Sequence, residues 1–481
     1  MLGAIQAHAR LAPNRTAVVF NNNTLSYRQF ARLIDSARRY LVSQGIGGSG
    51  FTVLAIASLL DAWMVGLAVR SLGLTTVIVH SREEIGRLGL PETSCVVTTE
   101  AERPVADETV CAQAGWRHVV VPRAVFAGAT TRAGSRLREP AAQGGHVLLT
   151  SGTTGIYKKI LIDPSCERAL IDYRKTVFAF GRRSVVNVFN FGGWTIIGYL
   201  TAATVWDVGG CAILYQGPNK HESFRHRGIT HSFLIPRMLM ELLAAPATAL
   251  HHDGRMRLFV GGGPLPAALA EAARTRLTPR LYTWIGSTEA SAFTLTPVAH
   301  DKDLRWHRII PSRKVEIVDE MARPVPTGQV GHVRTATIGG ISGYLHDEAA
   351  SRAFFRDGFF YPGDLGVIAP DGRLALHGRV TDVINILGNK FAPEPIEDAL
   401  CRKLQATGVC VFSMPHESGD EIVHVAIEAS RPIAPAALAS ALTSALPGVY
   451  RAQFHVMDAL PRNTMGKVQR DALKRALGLP A

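Results

Sequence analysis

Short apolar runs alternate with longer helical stretches before Pro297 in this chain. Such runs, separated by helices, are typical of parallel strands that helices cover on both faces. The runs lie at 51–60, 75–79, 95–98, 118–121, 145–149, 185–189, 211–215, 232–235, 257–260 and 281–285. The pattern predicts an α/β fold on parallel sheets, because a strand without a polar face needs a helix layer on each side.

Four of these runs end in small or polar residues. The segments that follow them are 190–194, Pro236, 261–263 and 286–289. Because the carboxyl ends of neighbouring parallel strands meet at one edge of a sheet, we expect these segments to line a shared cleft.

After Pro297 the long helical stretches give way to short β-like segments and turns. Short β-like stretches and the turn signal Pro370-Asp371-Gly372 predict a small β subdomain. Strand-like segments at 408–413 and 422–429, with helices near 396–404 and 435–446, predict a small α+β domain at the C-terminus. A chain of 481 residues is too long to form a single ordinary hydrophobic core, so we expect more than one domain. We predict an N-terminal domain over residues 1–378 and a C-terminal domain over 379–481.

One helix can be placed with its cap. Residues 29–42 carry apolar side chains at helical spacing, and Thr24 or Ser26 precedes them as the candidate N-cap.

Composition narrows the class of protein. The net charge is +13, but only ten of the 52 cations are lysine and no basic run occurs, so nucleic-acid binding is not expected. The six cysteines form no Cys-x-x-Cys pair, which argues against zinc ribbons and disulfide frameworks and favours a reducing, cytoplasmic compartment. The N-terminus shows no signal-peptide pattern. The most apolar segment, 53–69, is interrupted by Asp61 and ended by Arg70, so we expect a buried helix and no membrane span.

A loop rich in hydroxyls, glycines and lysines follows the run at 145–149. It reads Thr150-Ser151-Gly152-Thr153-Thr154-Gly155-Ile156-Tyr157-Lys158-Lys159. Glycine permits close approach of the backbone to a ligand, hydroxyls donate hydrogen bonds to oxygen, and lysine adds positive charge. The spacing excludes a Walker A loop. A polyphosphate site and a solvated hairpin or linker both fit this segment taken alone.

Five motifs in sequence order identify a family. The loop at 150–159, Gly286-Ser287-Thr288-Glu289, Tyr361-Pro362-Gly363-Asp364, Gly378-Arg379 with the ribbon after it, and 460–467 resemble the adenylate-forming superfamily of acyl-CoA synthetases, peptide-synthetase adenylation domains and luciferases. The resemblance covers nearly the whole chain. It implies ATP-dependent joining of a carboxylic acid to AMP with release of pyrophosphate, followed by transfer to a thiol.

The resemblance also implies roles for residues. Thr150, Ser151, Gly152, Thr153, Thr154, Gly155 and Lys158 would hold the β- and γ-phosphates of ATP, with Thr288 near the α-phosphate. Glu289 would bind Mg²⁺, a hard cation suited to carboxylate oxygen. Asp364 would accept the ribose hydroxyls, Arg379 would add donors, and Gly261, Gly262 and Tyr282 would border the adenine. Lys467 would bridge the acid and the α-phosphate, and with Glu289 and Thr154 it is a candidate catalytic residue.

The acid pocket and the hinge follow from the same resemblance. The candidate pocket residues are Asn190, Phe191, Gly192, Trp194, His231 and Gly286. Asn190 stands where amino-acid-activating members have aspartate, which disfavours α-amino acids because a neutral amide offsets an ammonium poorly. The aromatic side chains suit an aryl or a short to medium apolar acid, although packing in the core explains any one of them equally well. Thr381 occupies the hinge about which a mobile C-terminal domain would rotate.

Two departures from the family pattern stand in the loop. Tyr157 replaces a proline and Lys159 replaces a glycine, so we expect an altered grip on phosphate.

The leading hypothesis is an acid–thiol ligase with ATP, Mg²⁺ and coenzyme A. A carrier-protein phosphopantetheine as the acceptor, and a non-catalytic nucleotide-binding member, remain as alternatives. The sequence leaves the acid and the oligomeric state open.

Overall fold

The computed structural model describes the chain except residues 80–81, 102–107, 128–142, 151–157, 190, 227, 381–383, 387–388, 392, 416–420, 430, 447–448, 450, 463–467 and 481. The helices are α1 (Leu2–Leu11), α2 (Tyr27–Ser43), α3 (Leu59–Arg70), α4 (Arg82–Arg87), α5 (Glu108–Gln113), α6 (Arg123–Phe126), α7 (Pro164–Val177), α8 (Ile196–Asp207), α9 (Pro236–Leu243), α10 (Ala267–Arg276), α11 (Glu348–Phe354), α12 (Pro393–Leu404), α13 (Pro435–Ala445) and α14 (Arg470–Ala476). The strands of the first two sheets are β1 (Thr16–Phe20), β2 (Asn23–Ser26), β3 (Phe51–Leu54), β4 (Thr75–Ile78), β5 (Thr93–Thr99), β6 (Arg117–Val121), β7 (His146–Thr150), β8 (Lys158–Ile162), β9 (Val185–Phe189), β10 (Cys211–Leu214), β11 (His231–Leu234), β12 (Arg257–Gly261) and β13 (Leu281–Trp284), with β16 (Thr296–Pro297) at an edge. The remaining strands are β14 (Gly286–Ser287), β15 (Ser291–Ala292), β17 (His307–Arg308), β18 (Val315–Val318), β19 (Gly331–Ala336), β20 (Phe355–Arg356), β21 (Phe359–Phe360), β22 (Asp364–Ile368), β23 (Arg373–Arg379), β24 (Ile384–Ile386), β25 (Asn389–Phe391), β26 (Gly408–Pro415), β27 (Glu421–Glu428) and β28 (Ala452–Met457).

Two sheets form the main body, and the central strands of each sheet run parallel to one another. Their strand orders are β16-β13-β12-β11-β9-β10-β1-β2 and β6-β5-β3-β4-β7-β8. Strands β13, β12, β11, β9, β10 and β1 pair in parallel, as do β6, β5, β3, β4 and β7. The predicted α/β class is confirmed.

The second sheet ends in an antiparallel hairpin. Strand β8 pairs with β7, with Thr150 opposite Lys158 and Leu149 opposite Lys159. The hydroxyl- and glycine-rich loop therefore connects two strands of one hairpin, and its two ends lie side by side.

The most apolar segment is split between a strand and a helix. The expectation of one helix over 53–69 is wrong at its start, because Val53 and Leu54 belong to β3 and the helix α3 begins at Leu59. Ser58 caps α3 by accepting a hydrogen bond from the backbone N–H of Asp61. The helix is buried on nearly every face, as expected, with Trp63 stacked on Tyr199 of α8. Among the described residues, no helix combines the length and apolarity that crossing a membrane requires.

The smaller units also follow the predicted order. An antiparallel sheet runs β17-β23-β22-β19-β21-β20, with β18 beside β19. Beyond it, β26, β27 and β28 form a sheet against α12, α13 and α14, of which β28 and α14 were not predicted. The hydrophobic cluster around Leu400, Val425 and Leu442 contains only residues from Ile384 onward. This separate core agrees with a C-terminal domain, whose boundary at 378/379 stays a prediction.

Candidate active site

A tight hairpin carries Glu289. Strands β14 and β15 pair antiparallel, and the backbone N–H of Ala290 donates to the Ser287 hydroxyl at 3.2 Å, which closes the turn between them. A Cβ at Gly286 would lie 2.5 Å from the carbonyl oxygen of Ser291, so only glycine fits there. Thr288 and Glu289 are thereby held in a turn just past the end of β13.

The Glu289 carboxylate is buried and hydrogen-bonded. Glu289 is 7% exposed, and the hydroxyl of Tyr344 donates to its Oε1 atom at 2.8 Å. Burial, and then the neighbouring carboxylate, raises the pKa of Tyr344, so this hydroxyl keeps its proton and acts as the donor.

Lys158 reaches the same cluster from the hairpin β7–β8. Its Nζ atom lies 3.7 Å from the ring centroid of Phe354 and 5.0 Å from that of Tyr344. Cation–π contacts of this kind hold an ammonium group without neutralising it. Burial lowers the pKa of Lys158, and the charges of Glu289 and Asp347 oppose that shift. Lys158 and Glu289 are therefore brought together from distant parts of the chain.

Lys159 faces away from this cluster. Successive side chains of a strand point to opposite faces. Ile160, two residues from Lys158, belongs to the main hydrophobic cluster, whereas Leu149, opposite Lys159, belongs to the cluster on the other face. Lys159 is 6% exposed, and burial lowers the pKa of its amine. The expected change in the grip on phosphate stays a prediction, but the Lys159 side chain lies on the face of β8 opposite to that of Lys158.

Asp364 and Arg379 form a cross-strand pair. They lie opposite each other on β22 and β23, and Nε of Arg379 is 2.8 Å from Oδ1 of Asp364. Arg379 also donates to the carbonyl oxygen of Pro362 at 2.6 Å. Gly363, which joins Pro362 to Asp364, has φ of +79°. The charge of Arg379 adds to the lowering of the pKa of Lys158 and opposes the rise in the pKa of Tyr344, which places Arg379 within electrostatic range of the cluster.

Gly261 at the end of β12 accommodates an indole ring. A Cβ at Gly261 would lie 2.5 Å from Cε2 of Trp284, so the ring occupies the space above this glycine. Gly262 has φ of +84° and is exposed. Tyr282 is the second residue of β13 and stacks on Phe259 at 5.2 Å between ring centroids. The adenine-bordering role of these residues stays a prediction.

Part of the candidate acid pocket lies beside an open cavity. Trp194 and Phe189 border a space of about 230 Å³ at the carboxyl ends of β9 and β10, together with Tyr215, Gln216, Gly217 and Lys220. Phe191 is 3% exposed and packs in the main core. A Cβ at Gly192 would overlap the ring of Trp194.

The structure does not bring His231 to the other candidates. His231 is the first residue of β11, at the edge of the sheet opposite the carboxyl ends of the strands. Its ring nitrogens are already engaged, Nε2 with the carbonyl oxygen of Phe178 at 3.0 Å and Nδ1 with the Thr230 hydroxyl at 2.7 Å. This arrangement is that of a structural histidine.

Several candidates fall outside the described residues. They are Ser151, Gly152, Thr153, Thr154, Gly155 and Tyr157 of the loop, Asn190, the hinge Thr381 and Lys467. Thr150 is described and ends β7.

Sequence reasoning missed Tyr344 and Phe354. Tyr344 follows a glycine-containing stretch without periodicity, and Phe354 is the last residue of α11. The aromatic side chains themselves were the only signal, and nothing local to them indicates Glu289 or Lys158 as partners.

The cluster suits an anion accompanied by a cation. Lys158 and Arg379 supply positive charge, and Glu289 supplies carboxylate oxygen. Thr150 lies opposite Lys158 in the hairpin, and Thr288 directly precedes Glu289 in its turn. Such a set can bind phosphate oxygens together with a hard metal ion.

Comparison with known proteins agrees with this chemistry. Residues 5–345 match the family model described as AMP-binding enzyme. The salicyl-AMP ligase / salicyl-S-ArCP synthetase of Mycobacterium tuberculosis is 27% identical over 98% of this chain and 89% of its own length. The 2-succinylbenzoate–CoA ligase of Listeria monocytogenes is 24% identical over 98% of this chain and 99% of its own.

Other similar proteins differ in length or show only the fold. CymA of Salinispora arenicola, a nonribosomal peptide synthetase by its description, is 25% identical over 97% of this chain, which spans 6% of its length. The crystal structure of ATP-bound MatB from Rhodopseudomonas palustris has a TM-score of 0.84 over 99% of this chain and 98% of its own, at 20% identity. That likeness shows the fold.

Proposed function

The chain belongs to the family of AMP-binding enzymes, and on that premise we propose that it activates a carboxylic acid with ATP. A carboxylate oxygen of the acid attacks the α-phosphorus, the bond to the β-phosphate oxygen breaks, and pyrophosphate leaves. The acyl adenylate then reacts with a thiolate, which forms a thioester and releases AMP.

One observation carries this proposal. Lys158, at the end of the hydroxyl- and glycine-rich loop, lies on the ring of Tyr344, whose hydroxyl binds Glu289. A cation and a carboxylate that lie close together without forming an ion pair with each other match the needs of a metal-bound polyphosphate.

The residues present fit Mg²⁺. Within the described ranges, no three His, Cys, Asp or Glu side chains form a group that could hold a metal ion alone. Mg²⁺ is usually bound by one or two carboxylates with phosphate and water, so a single Glu289 suits it. When bound, the ion would neutralise charge on the phosphate oxygens. Glu289 would hold the ion, and Lys158 would bind the phosphates.

The ribose and the reacting carboxylate have candidate partners elsewhere. The Oδ1 atom of Asp364 forms a salt bridge with Arg379. An ionised carboxylate can accept hydrogen bonds from two ribose hydroxyls, so Asp364 would bind the ribose. Lys467 would stabilise the charge that develops as the acid attacks the α-phosphate. Rotation of the C-terminal domain about Thr381 would exchange Lys467 for the thiol between the two half-reactions.

The acid is proposed to be aryl or apolar. Trp194 and Phe189 border the open cavity, and aromatic walls suit such a ligand. Two similar proteins are named for salicyl and 2-succinylbenzoate substrates, which fits an aryl acid.

The acceptor is proposed to be coenzyme A, with a carrier protein as the alternative. The similar proteins include a CoA ligase and a carrier-protein synthetase, so both thiols have a precedent. A basic chain would attract an acidic carrier protein. The six cysteines are free thiols, as in the reducing cytoplasm in which we place the reaction.

The departures at the end of the loop and at Thr381 are the reasons to consider the non-catalytic alternative, and one of these departures lies apart from Glu289. Lys159, a departure from the family loop, points away from Glu289 and leaves Lys158 in place.

Pyrophosphate release tests the proposal. The protein is mixed with ATP, Mg²⁺ and a panel of aryl and apolar acids, and thioester products are measured by mass with coenzyme A or a phosphopantetheinylated carrier protein. We expect release with at least one aryl acid. Nucleotide binding without release for any acid would favour the non-catalytic alternative.

Lys467→Ala separates the half-reactions. We expect adenylation to fall by about a hundredfold or more, because a preorganised cation at the reacting phosphate is lost. Thioester formation from a synthetic acyl adenylate should change little. Equal losses in both half-reactions would contradict the role of Lys467.

A further inference from the structure

We propose that Tyr344 is a positioning residue that holds Glu289 and Lys158 apart, each oriented toward a metal–nucleotide complex. This inference rests on the proposed function and assigns a role to a residue that the motifs do not include. Its basis is that one side chain contacts both charged groups.

Tyr344 lies between the carboxylate and the ammonium. Its hydroxyl donates to Oε1 of Glu289 at 2.8 Å, and its ring is 5.0 Å from Nζ of Lys158. Both charged residues are among those described, and they do not form an ion pair with each other. In a poorly solvated site, opposite charges attract more strongly than in water, so keeping them apart requires a fixed intermediary.

Tyr344 is itself fixed on several sides. Its backbone N–H donates to the Ser351 hydroxyl at 2.8 Å, and the next residue, Leu345, donates to the carbonyl oxygen of Lys159 at 2.8 Å. The ring meets Phe355 edge-on at 5.2 Å between centroids. The hydroxyl is therefore aimed by the backbone and by packing, and does not depend on Glu289 for its position.

The backbone around Glu289 is held independently of Tyr344. Arg313 donates to the carbonyl oxygen of Ala290 at 3.0 Å, and the Tyr173 hydroxyl donates to that of Ala292 at 2.6 Å. Loss of the Tyr344 hydroxyl should release the Glu289 side chain while the hairpin stays in place. A freed carboxylate would turn toward Lys158, and the two charges would neutralise each other.

Tyr344→Phe tests this role, because the ring over Lys158 remains and only the hydroxyl is lost. We measure ATP binding by calorimetry with Mg²⁺, with Mn²⁺, and with EDTA. Groups that orient a metal-binding side chain typically change metal affinity by about 10–100-fold. We expect metal-dependent ATP binding to weaken by about tenfold or more, and binding in EDTA to change much less.

Tyr27→Phe is the matched control. Tyr27 is also buried, and it lies on α2, which carries none of the site residues. Its hydroxyl donates to the carbonyl oxygen of Gly210 at 2.7 Å. A purely structural effect would lower the melting temperature in both variants and leave the metal dependence of ATP binding unchanged in both. That result for Tyr344→Phe would overturn the inference.

Two further variants sharpen the outcome. In a Glu289→Gln background, Tyr344→Phe should add no further loss of metal dependence, because the group that it positions is gone; independent, additive losses would contradict the proposal. Phe354→Leu removes a ring from Lys158 and should weaken ATP binding equally with metal and with EDTA. If the wild-type protein binds no metal–ATP complex, the proposed function fails; if it binds one and Tyr344→Phe does so equally well, only this inference fails.

Discussion

Two adjacent lysines illustrate how strand geometry assigns roles to residues. Lys158 and Lys159 are equivalent as charges in the loop motif, but alternation along β8 turns them to opposite faces. Lys158 meets Phe354 and Tyr344, whereas Lys159 is buried on the face of Leu149. Lys159 is thus a buried group on the far side of β8, and the proposed role in phosphate binding belongs to Lys158 alone.

The two lysines should respond differently to the same substitution. Lys158→Met should weaken ATP binding by about tenfold or more, because charge-assisted contacts to phosphate are lost. Lys159→Met should leave ATP binding nearly unchanged and should not reduce stability, since burial already disfavours its charged amine. Calorimetry and urea denaturation check the pair. A loss of ATP binding in Lys159→Met as large as in Lys158→Met would refute the assignment of faces.

At the level of single elements, local signals placed the helix α2 well. Ser26 accepts from the backbone N–H of Gln29 at 3.2 Å, and the Gln29 side chain accepts from the backbone N–H of Ser26 at 2.8 Å. This reciprocal capping box satisfies two backbone donors at the start of the helix. The cap predicted at Thr24 or Ser26 is Ser26.

Ser26→Ala should reduce the free energy of unfolding by about 1 kcal/mol, because an N-cap acceptor is lost. Ser36→Ala, the same change in the middle of α2, should be neutral or slightly stabilising, since alanine has the higher helix propensity. Urea denaturation of both variants measures the difference. Equal effects of the two substitutions would show that the cap contributes nothing.

At the scale of the whole molecule, neutral histidines with lowered pKa values occur in several structural units. Burial lowers the pKa of His146 to about 3 and that of His231, His307 and His424 to about 4. They lie on β7, β11, β17 and β27, so both parallel sheets, the small β subdomain and the C-terminal region each contain one.

These histidines predict loss of stability in mild acid. In the unfolded chain each takes up a proton near its usual pKa of about 6.5, whereas the folded chain keeps each neutral to lower pH. Their contribution is complete above that value and decreases as the pH falls toward about 4, by up to about 1.4 kcal/mol per pH unit for each histidine. The melting temperature should therefore drop between pH 7.5 and 5. A constant or rising melting temperature over that interval would contradict the burial of these groups.

Much of the fold could be predicted from sequence because its signals are local. Apolar runs of strand length, the Ser26 cap and glycines at strand ends act between near neighbours in the chain, and the apolar runs placed β9, β11, β12 and β13. The shared cleft at the ends of these strands stays a prediction. The boundary between β3 and α3 was missed: the expected strand at 51–60 and the expected helix at 53–69 overlap, since periodicity alone does not separate a buried strand from a buried helix.

In the candidate site, too, local motifs identified some residues and the tertiary structure was needed for the rest. The sequence by itself determined the parallel α/β class and named Lys158, Glu289, Asp364 and Arg379 through their motifs. Only the tertiary structure decided that Tyr344 stands between Lys158 and Glu289, that Lys159 faces away, that Trp284 covers Gly261 and that His231 lies at the opposite edge. The physical reason is that these contacts join residues far apart in the chain, and they depend on sheet order and on which face of a strand is buried, which no local pattern encodes.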